Sequence, residues 1–309
     1  MPFQRDCPRE PAARYFVPGL LDDVPFFMTV FLTIAGITVR VDSAIGWNRF
    51  RDSAFYNDFL AAGSPRWQCR LKHTIGPPPD LVLERSPFHT QNWQLAAAGD
   101  LRVLRIGPAP VRGRADNVVV FDRDYAHGTM YQKSVYELFR RFIDQFLFMN
   151  LLSRKGGFLL HASGVVWKGK GICFAGVSGT GKSTLLNLFK DQVARGDLLN
   201  DDRLAIKFTG DSWRVYGTPW YGESRVSSPA SARLSAIFFI RHSKRNYARR
   251  LSSAEICPRM MTLALLPFWD REATSRVLAS FQKIIRNIPA FELGFLPGAS
   301  AVELIKKNV

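Results

Sequence analysis

Residues 176–183 read GVSGTGKS, a full match to GxxxxGK[ST]. Each residue type in that spacing has a physical task. Glycines let successive backbone N–H groups curl around the oxygens of a phosphate. The helix expected to follow points its positive end at the same anion. Lys182 supplies a point charge for the outer phosphates, and Ser183 can place its hydroxyl on a magnesium ion. The expected phosphate-binding set is therefore Gly176, Val177, Ser178, Gly179, Thr180, Gly181, Lys182, Ser183 and Thr184. An apolar strand at 172–175 precedes the loop and an apolar helical run, LLNLF, follows it. That is the context the motif requires.

Asp201 and Asp202 follow about twenty residues later, in GDLLNDDRLAIKF. Beside a phosphate loop, a carboxylate at a strand end holds magnesium, directly or through water. Two adjacent carboxylates can divide the work between a metal and an acceptor hydroxyl. The competing reading is an Asx-rich turn joining helix to strand. His161, in FLLHASGVV, is either a satisfied strand histidine or a member of the same site. Downstream, PWYGE at 219–223 reads as an aromatic turn packed on the core or as a loop whose Glu223 adds a carboxylate toward a metal. Arg225 is a candidate phosphate contact. Residues 241–250, RHSKRNYARR, hold five Lys/Arg and no acid. They read as a solvated basic face or as a dock for an acidic peptide or phosphates.

These residues need elements to hold them. Residues 28–125 break into short alternating runs: FLTIAG, ITVRVDS, DLVLER, LRVLRIG and NVVVFD. Turn formers separate them at 76–80 and 107–113, which makes the first half β-rich. Residues 132–152, QKSVYELFRRFIDQFLFMNLL, carry apolar residues at helical spacing, among them Val135, Leu138, Phe142, Phe146 and Met149, and read as one helix. Two strands joined by a tight turn at 168–171 then lead into the phosphate loop. The expected organisation is an irregular arm at 1–20, a β-rich domain at 21–128 with a role in peptide recognition, and a catalytic domain at 129–309.

The composition fits a folded chain of 309 residues, with 47% hydrophobic and 22% charged residues. Four widely spaced cysteines, Cys7, Cys69, Cys173 and Cys257, form no CxxC pair, which argues against a disulfide framework or zinc site and for a reducing cytoplasm. The N-terminus lacks an apolar signal region. The apolar stretch at 25–39 is shorter than the roughly 20 residues a spanning helix needs, and it reads as two strands joined at Ala35 and Gly36. The net charge of +16 asks for an anionic partner. No helix-turn-helix, zinc-finger or single-strand-binding pattern accompanies it, so no specific nucleic acid is expected.

With these motifs in place, the block LLHASGVVWKGKGICFAGVSGTGKSTL…LLNDDRLAI resembles the catalytic domain of HPr kinase/phosphorylase. It resembles still more the shorter HPr-kinase-like proteins of peptide-maturation cassettes, including kinases of lasso-peptide precursors. The family pattern is a histidine opening the strand, a phosphate loop, then an Asp-Asp pair; His161, residues 176–183, Asp201 and Asp202 fill it in order. The match spans about residues 136–210 and is thin over 1–125. The resemblance implies an α/β fold of the phosphoenolpyruvate-carboxykinase type rather than a doubly wound sheet, with a β-rich half before it. It implies ATP and Mg²⁺ as cofactors and γ-phosphoryl transfer to a serine-like hydroxyl of a peptide or small protein. It makes Asp201 the base, with His161 close to it, and Asp202 the metal-side carboxylate, in an order that can be reversed; Lys182 acts beside them, and Ser183 and the candidate Glu223 join the metal side on the loop and turn readings above. It also carries an expectation of homo-oligomers. The glycine-rich signature that HPr kinases carry after the Asp pair is absent, so phosphorolysis and HPr as acceptor do not follow. Two rival readings stay open. One is a P-loop NTPase, although no LSGGQ-like or NKxD box follows the loop. The other is a nucleotide-sensing peptide-binding protein without kinase activity.

Overall fold

A computed structural model describes residues 28–107, 116–133, 137–139 and 142–309. The arm expected at 1–20, Cys7, Val135 and most of the turn at 107–113 lie outside the described residues. The fold is mixed α/β, with two sheets.

The first sheet is built from β1 (Met28–Ile34), β2 (Ile37–Ser43), β3 (Cys69–Ile75), β4 (Trp93–Ala98), β5 (Leu101–Ile106), β6 (Asn117–Phe121) and β7 (His127–Gln132). Its spatial order is β1-β2-β3-β7-β6-β5-β4. The two strands expected within 25–39 form the β1–β2 hairpin, turned by Ala35 (φ 52°) and Gly36 (φ 67°), the left-handed pair that suits a two-residue hairpin. The run at 80–85 is not a strand. Three prolines at 77–79 lack N–H donors. Leu81 and Leu83 pack on Val103, Val118 and Val120, while Val82 stays exposed.

The second sheet contains β8 (Phe158–Trp167), β9 (Lys170–Ala175), β10 (Leu198–Asn200), β11 (Arg203–Thr209), β12 (Ser212–Tyr216), β13 (Ser231–His242), β14 (Tyr247–Arg250), β15 (Ala264–Leu265) and β16 (Ala290–Phe295). β8 pairs with β11, β11 with β12, β12 with β13, β13 with β9, and β9 with β8. The pairings therefore run in a closed circuit. Side chains alternate along its central strands, as the period of two requires. Cys173, Ala175, Ile237 and Phe239 face a core shared with α3 (Ser253–Leu263) and α4 (Arg271–Asn287). Ile172, Phe174, Ala236 and Phe238 face another, closed by α2 (Lys182–Leu188) and α5 (Ala299–Lys306). The buried Cys173 thiol behaves as a small apolar group, its pKa pushed up by burial.

The helix expected over 132–152 is shorter: α1 spans Ile143–Ser153. Side chains hold the chain before it in other conformations. Gln132 ends β7, and its Nε2 donates to the carbonyls of Glu137 and Leu138 at 2.9 and 3.1 Å. The buried Asp52 carboxylate accepts from the N–H groups of Leu138 and Phe139 at 2.8 and 3.0 Å. Nor is α1 a surface helix with one apolar stripe. Only Gln145 of its eleven residues escapes full burial, as expected of a helix enclosed on all sides. One core cluster runs through it, joining Leu32, Val39 and Phe121 of the first sheet to Leu159, Ala205 and Trp220. The buried Lys207, on β11, also reaches across to the Ala35 carbonyl at 2.5 Å.

Burial on this scale makes the polar groups of α1 costly unless paired. Asn150 donates to Phe146 O and accepts from Trp269 Nε1. Asp144 accepts from the Tyr56 hydroxyl at 2.6 Å, from Trp220 Nε1 and from the Gln145 N–H at 2.8 Å. Burial pushes its pKa up to about 6, assisted by the nearby Asp52 carboxylate and opposed by the three hydrogen bonds. A carboxyl raised in the folded state holds its proton where the unfolded chain has lost it. Its contribution to stability is therefore present below the unfolded value near 4 and lost as pH rises toward 6. Denaturant unfolding of wild type and Asp144→Asn at pH 4, 5, 6 and 7 should show the variant gaining on wild type through that window. The slope should approach about 1.4 kcal/mol per pH unit; a pH-independent difference would contradict it.

Candidate active site

The sequence-predicted residues converge on the ends of three strands. β8 carries His161, β9 runs into the glycine loop, and the turn between β10 and β11 carries Asp201 and Asp202. Backbone bonds hold the three together: Gly176 N donates to His161 O at 3.4 Å, and Ala162 N to Asp202 O at 3.1 Å. His161 Nε2 lies 2.9 Å from Asp202 Oδ1.

The loop joins strand to helix as the motif requires. Gly179 (φ 82°) and Gly181 (φ 99°) occupy the left-handed region, where glycine is strain-free. Val177, Ser178 and Gly179 are exposed at its crest. Gly176 is closely packed, since a Cβ there would lie 2.5 Å from Thr180 Oγ1. Thr180 folds inward, donating to Val177 O at 2.8 Å. The first helical bond runs from Leu185 N to Gly181 O. The N–H groups of Lys182, Ser183 and Thr184 precede it and have no intrahelical acceptor. Ser163 Oγ ties the helix start to β8 through Lys182 O at 3.2 Å. Lys182 is buried, and its Nζ donates to Val177 O at 3.1 Å. Burial pushes the ammonium's pKa down; Asp202 is the strongest opposing influence, and Arg203 adds to the fall.

The aspartate turn is an Asx turn and more. Asn200 Oδ1 accepts from the N–H groups of Asp202 and Arg203, both at 2.7 Å, while its Nδ2 donates to Thr218 O at 2.8 Å. Asn200 does the turn's structural work, which leaves both aspartates for other contacts. Their environments differ sharply. Asp201 is 2% exposed. Its Oδ1 accepts from Gly222 N at 2.8 Å and its Oδ2 from Ser224 N at 2.7 Å. Asp201 thus anchors the loop at 219–225. Asp202 keeps a third of its side chain exposed and faces His161 and Arg203. Burial raises its pKa, but the His161 hydrogen bond and the charges of Arg203 and Lys182 outweigh that and hold it below the usual value.

The loop at 219–225 closes one side of a cleft of about 550 Å³ that also contains Asp202. Glu223 and Arg225 line it. Arg225 adopts φ 52°, a left-handed conformation unusual for a bulky residue and often kept at functional sites. The opposite wall comes from the first half, where Asp52, Phe55 and Tyr56 belong to the chain around the 3-10 segment Ser53–Phe59. Sequence reasoning missed this wall; it offered an Asx-rich turn at 200–203 as one of two readings, without singling out Asn200 as the residue that makes it. Asp144 had one signal, a lone acid within FIDQFLFMNLL; Asp52, Phe55 and Tyr56 had none.

The basic run at 241–250 spans the end of β13, a turn and β14. Much of its charge is met locally. Glu292 lies within 4.0 Å of Arg241, Arg249 and Arg259, and Arg249 also pairs with Glu255.

An implied nucleotide and magnesium ion can be tested against these groups. The exposed crest, the unpaired N–H groups of the first helical turn and Lys182 fit an oligophosphate. Ser183, Asp202 and Glu223 offer hard oxygen atoms. No group of three or more His, Cys, Asp or Glu that could hold a metal occurs among the described residues. No described helix is long and apolar enough to cross a membrane.

No protein-family model matches the chain, and no curated protein does. Among solved structures it is similar to the Hpr(Ser) kinase/phosphatase from Coxiella burnetii, at 13% identity over 48% of this chain and 94% of that one, with a TM-score of 0.28. So distant a likeness carries no argument, and the reading of the site rests on its own residues.

The two aspartates should separate by stability. Asp201→Ala strands two backbone donors and should cost about 2 kcal/mol in denaturant unfolding, with faster amide exchange at Gly222 and Ser224. Asp202→Ala removes a partly exposed pair and should cost under about 1 kcal/mol. The reverse order would contradict the division of roles.

Proposed function

We propose that the protein is an ATP-dependent kinase that transfers the γ-phosphoryl group to a serine-like hydroxyl of a peptide, with a catalytic half of the HPr-kinase-like type. The observation that carries the reading is the placement of Asp202. It meets His161 at 2.9 Å, lies within reach of the Lys182 charge, and opens onto the cleft. One carboxylate thus adjoins both a phosphate loop and a space for an acceptor.

In this reading the residues at 176–184 grip the β- and γ-phosphates, and Lys182 offsets the charge on the outer oxygens. Ser183 and Glu223 are the groups left to hold magnesium, which when bound neutralises phosphate charge. The acceptor oxygen forms a bond to the γ-phosphorus as the bond from that phosphorus to the bridging oxygen breaks, and ADP leaves. The hydroxyl proton passes to Asp202. His161 fixes the carboxylate through Oδ1. A carboxylate with a lowered pKa is a weak base, yet phosphoryl transfer through a loose transition state depends more on orienting the nucleophile than on removing its proton early. Asp202 is therefore assigned as the base and Asp201 as the loop anchor, whereas the family resemblance implied Asp201 as base and Asp202 on the metal side.

Transfer from γ-³²P-ATP to serine peptides tests this. Asp202→Asn should lower kcat by about 10²–10⁴-fold while nucleotide affinity, read by calorimetry, stays within a few-fold. Lys182→Ala should weaken both transfer and nucleotide binding. Full transfer by Asp202→Asn would overturn the assignment. A strong ATPase indifferent to any acceptor would favour the NTPase reading instead.

A further inference from the structure

We propose that Arg203 is a further catalytic residue, whose guanidinium grips oxygens of the phosphoryl group in transfer while Asp202 holds the acceptor hydroxyl. The inference rests on the kinase reading above and adds a residue to the same site.

The backbone fixes where this side chain starts. Arg203 opens β11 and stands opposite His161 of β8 in their antiparallel ladder. Directly opposed residues send their side chains to one face of a sheet. Both reach Asp202, His161 at Oδ1 and Arg203 Nη1 toward Oδ2 at 3.7 Å. The main chain of Arg203 is held on both sides: its N–H donates to Asn200 Oδ1 at 2.7 Å, and its carbonyl accepts from Thr218 Oγ1 at 2.7 Å. The guanidinium itself is far less committed. It carries five N–H donors. Nε is sealed from solvent and has no hydrogen-bond partner among the described residues. Nη1 makes one long bond, 3.4 Å, to Asp202 O, a carbonyl that already accepts from Ala162 N. The contact with the Asp202 carboxylate is longer than a hydrogen bond. Two other partly buried arginines are spent in full view. Arg259 donates to Glu292 Oε2 at 2.8 Å and Glu255 O at 2.9 Å, and Arg154 to Arg123 O at 2.9 Å and Asp270 Oδ2 at 3.2 Å.

A cation taken largely out of water with its hydrogen bonds unmade is costly. Burial lowers the pKa of Arg203, with the Asp202 charge opposing, yet a guanidinium stays charged. An anion with several acceptor oxygens offsets that cost on arrival. The place such an anion would take is set by the neighbours. The charges of Arg203 and Lys182 both act on Asp202, and that of Arg203 acts on Lys182. A phosphoryl group passing from the Lys182 side to a hydroxyl on Asp202 therefore moves within reach of both cations. In a loose transition state its charge is spread over three equatorial oxygens. A planar fork of N–H donors matches two of them, which the point charge of a lysine does not. Arg203 exchanges no proton; the bonds formed and broken are those of the transfer step given above. A donor held in place by its strand before the substrate arrives needs little reorganisation during the reaction.

Calorimetric binding of ADP with Mg²⁺, alone and with aluminium fluoride, tests the contact, because the fluoride stands in for the phosphoryl group in transfer. Wild type should bind ADP at least roughly tenfold more tightly when the fluoride is present. Arg203→Gln should lose that gain while its affinity for ADP alone stays within a few-fold. Its kcat for label transfer from γ-³²P-ATP to serine peptides should fall by about 10³-fold or more. Arg203→Lys keeps the charge without the fork, so its gain and its kcat should lie between the two. Wild-type values in Arg203→Lys would overturn the contact, which keeps the test decisive if thermal unfolding shows Arg203→Gln to be unstable. An arginine that only props Asp202 would leave the fluoride gain in place. An Arg203-dependent gain with no label on any peptide would overturn the kinase reading and keep the contact. Label transfer by wild type, with no gain or with the gain intact in folded Arg203→Gln, would overturn the contact and keep the kinase. Neither gain nor transfer by wild type would overturn both.

Discussion

A buried carboxylate gives direction to the core that joins the two halves of this protein. Asp144 sits in a helix enclosed on nearly every side, where an unpaired charge is intolerable. Its partners come from distant parts of the chain, Tyr56 from the 3-10 segment of the first half and Trp220 from the loop after β12. Neither the apolar core nor the strand pairings specify that these two aromatic residues should meet. A directional acceptor with a fixed number of lone pairs does. The constraint costs stability, since burial raises the carboxyl's pKa to about 6, and it brings geometric definition to the cleft above it.

A second tier of the same logic operates at the aspartate turn. Asn200 closes the turn, Asp201 clamps the following loop by two backbone N–H groups, and Asp202 is left to face outward. Three consecutive polar residues, similar in size, carry three separate duties because their side chains leave the strand end in different directions. Gly222 fits the clamp tightly: a Cβ there would stand 3.2 Å from Asp201 Oδ2 and 3.3 Å from Asp202 Cβ. The loop that borders the cleft is thus positioned by the neighbour of Asp202, which ties that wall to the aspartate turn.

What could be read from the sequence follows from how local each feature is. The phosphate loop, its flanking strand and helix, and the β1–β2 hairpin depend on residues within a few positions of one another, and each was legible. The helix start at Ile143 was not, because the residues before it are held by Gln132 and by Asp52, the latter more than eighty positions away. The run at 80–85 has strand-like alternation, but a strand needs a ladder of partners, and behind the prolines at 77–79 its backbone bond from Glu84 N to Ala97 O at 2.8 Å does not extend into one. The division between Asp201 and Asp202 was equally invisible, since two adjacent aspartates differ only in what the fold brings to them.

The charge distribution shows why composition misleads about the site. A net charge of +16 suggests a molecule organised around anion attraction. Yet Arg241, Arg249 and Arg259 gather on the one carboxylate of Glu292, and Arg40 and Arg70 on that of Asp42. These cations stabilise local structure and leave less field to project. At the cleft the balance reverses: Asp202 and Glu223 face a single lining arginine, Arg225. A fully basic site would hold a nucleotide but would also bind it where an acceptor has to enter. Lys182 stands at the loop at 176–183, while the cleft beside Asp202 is lined by both polar and aromatic side chains. In the proposed reading phosphate is gripped on one side of Asp202 and the acceptor is seated on the other.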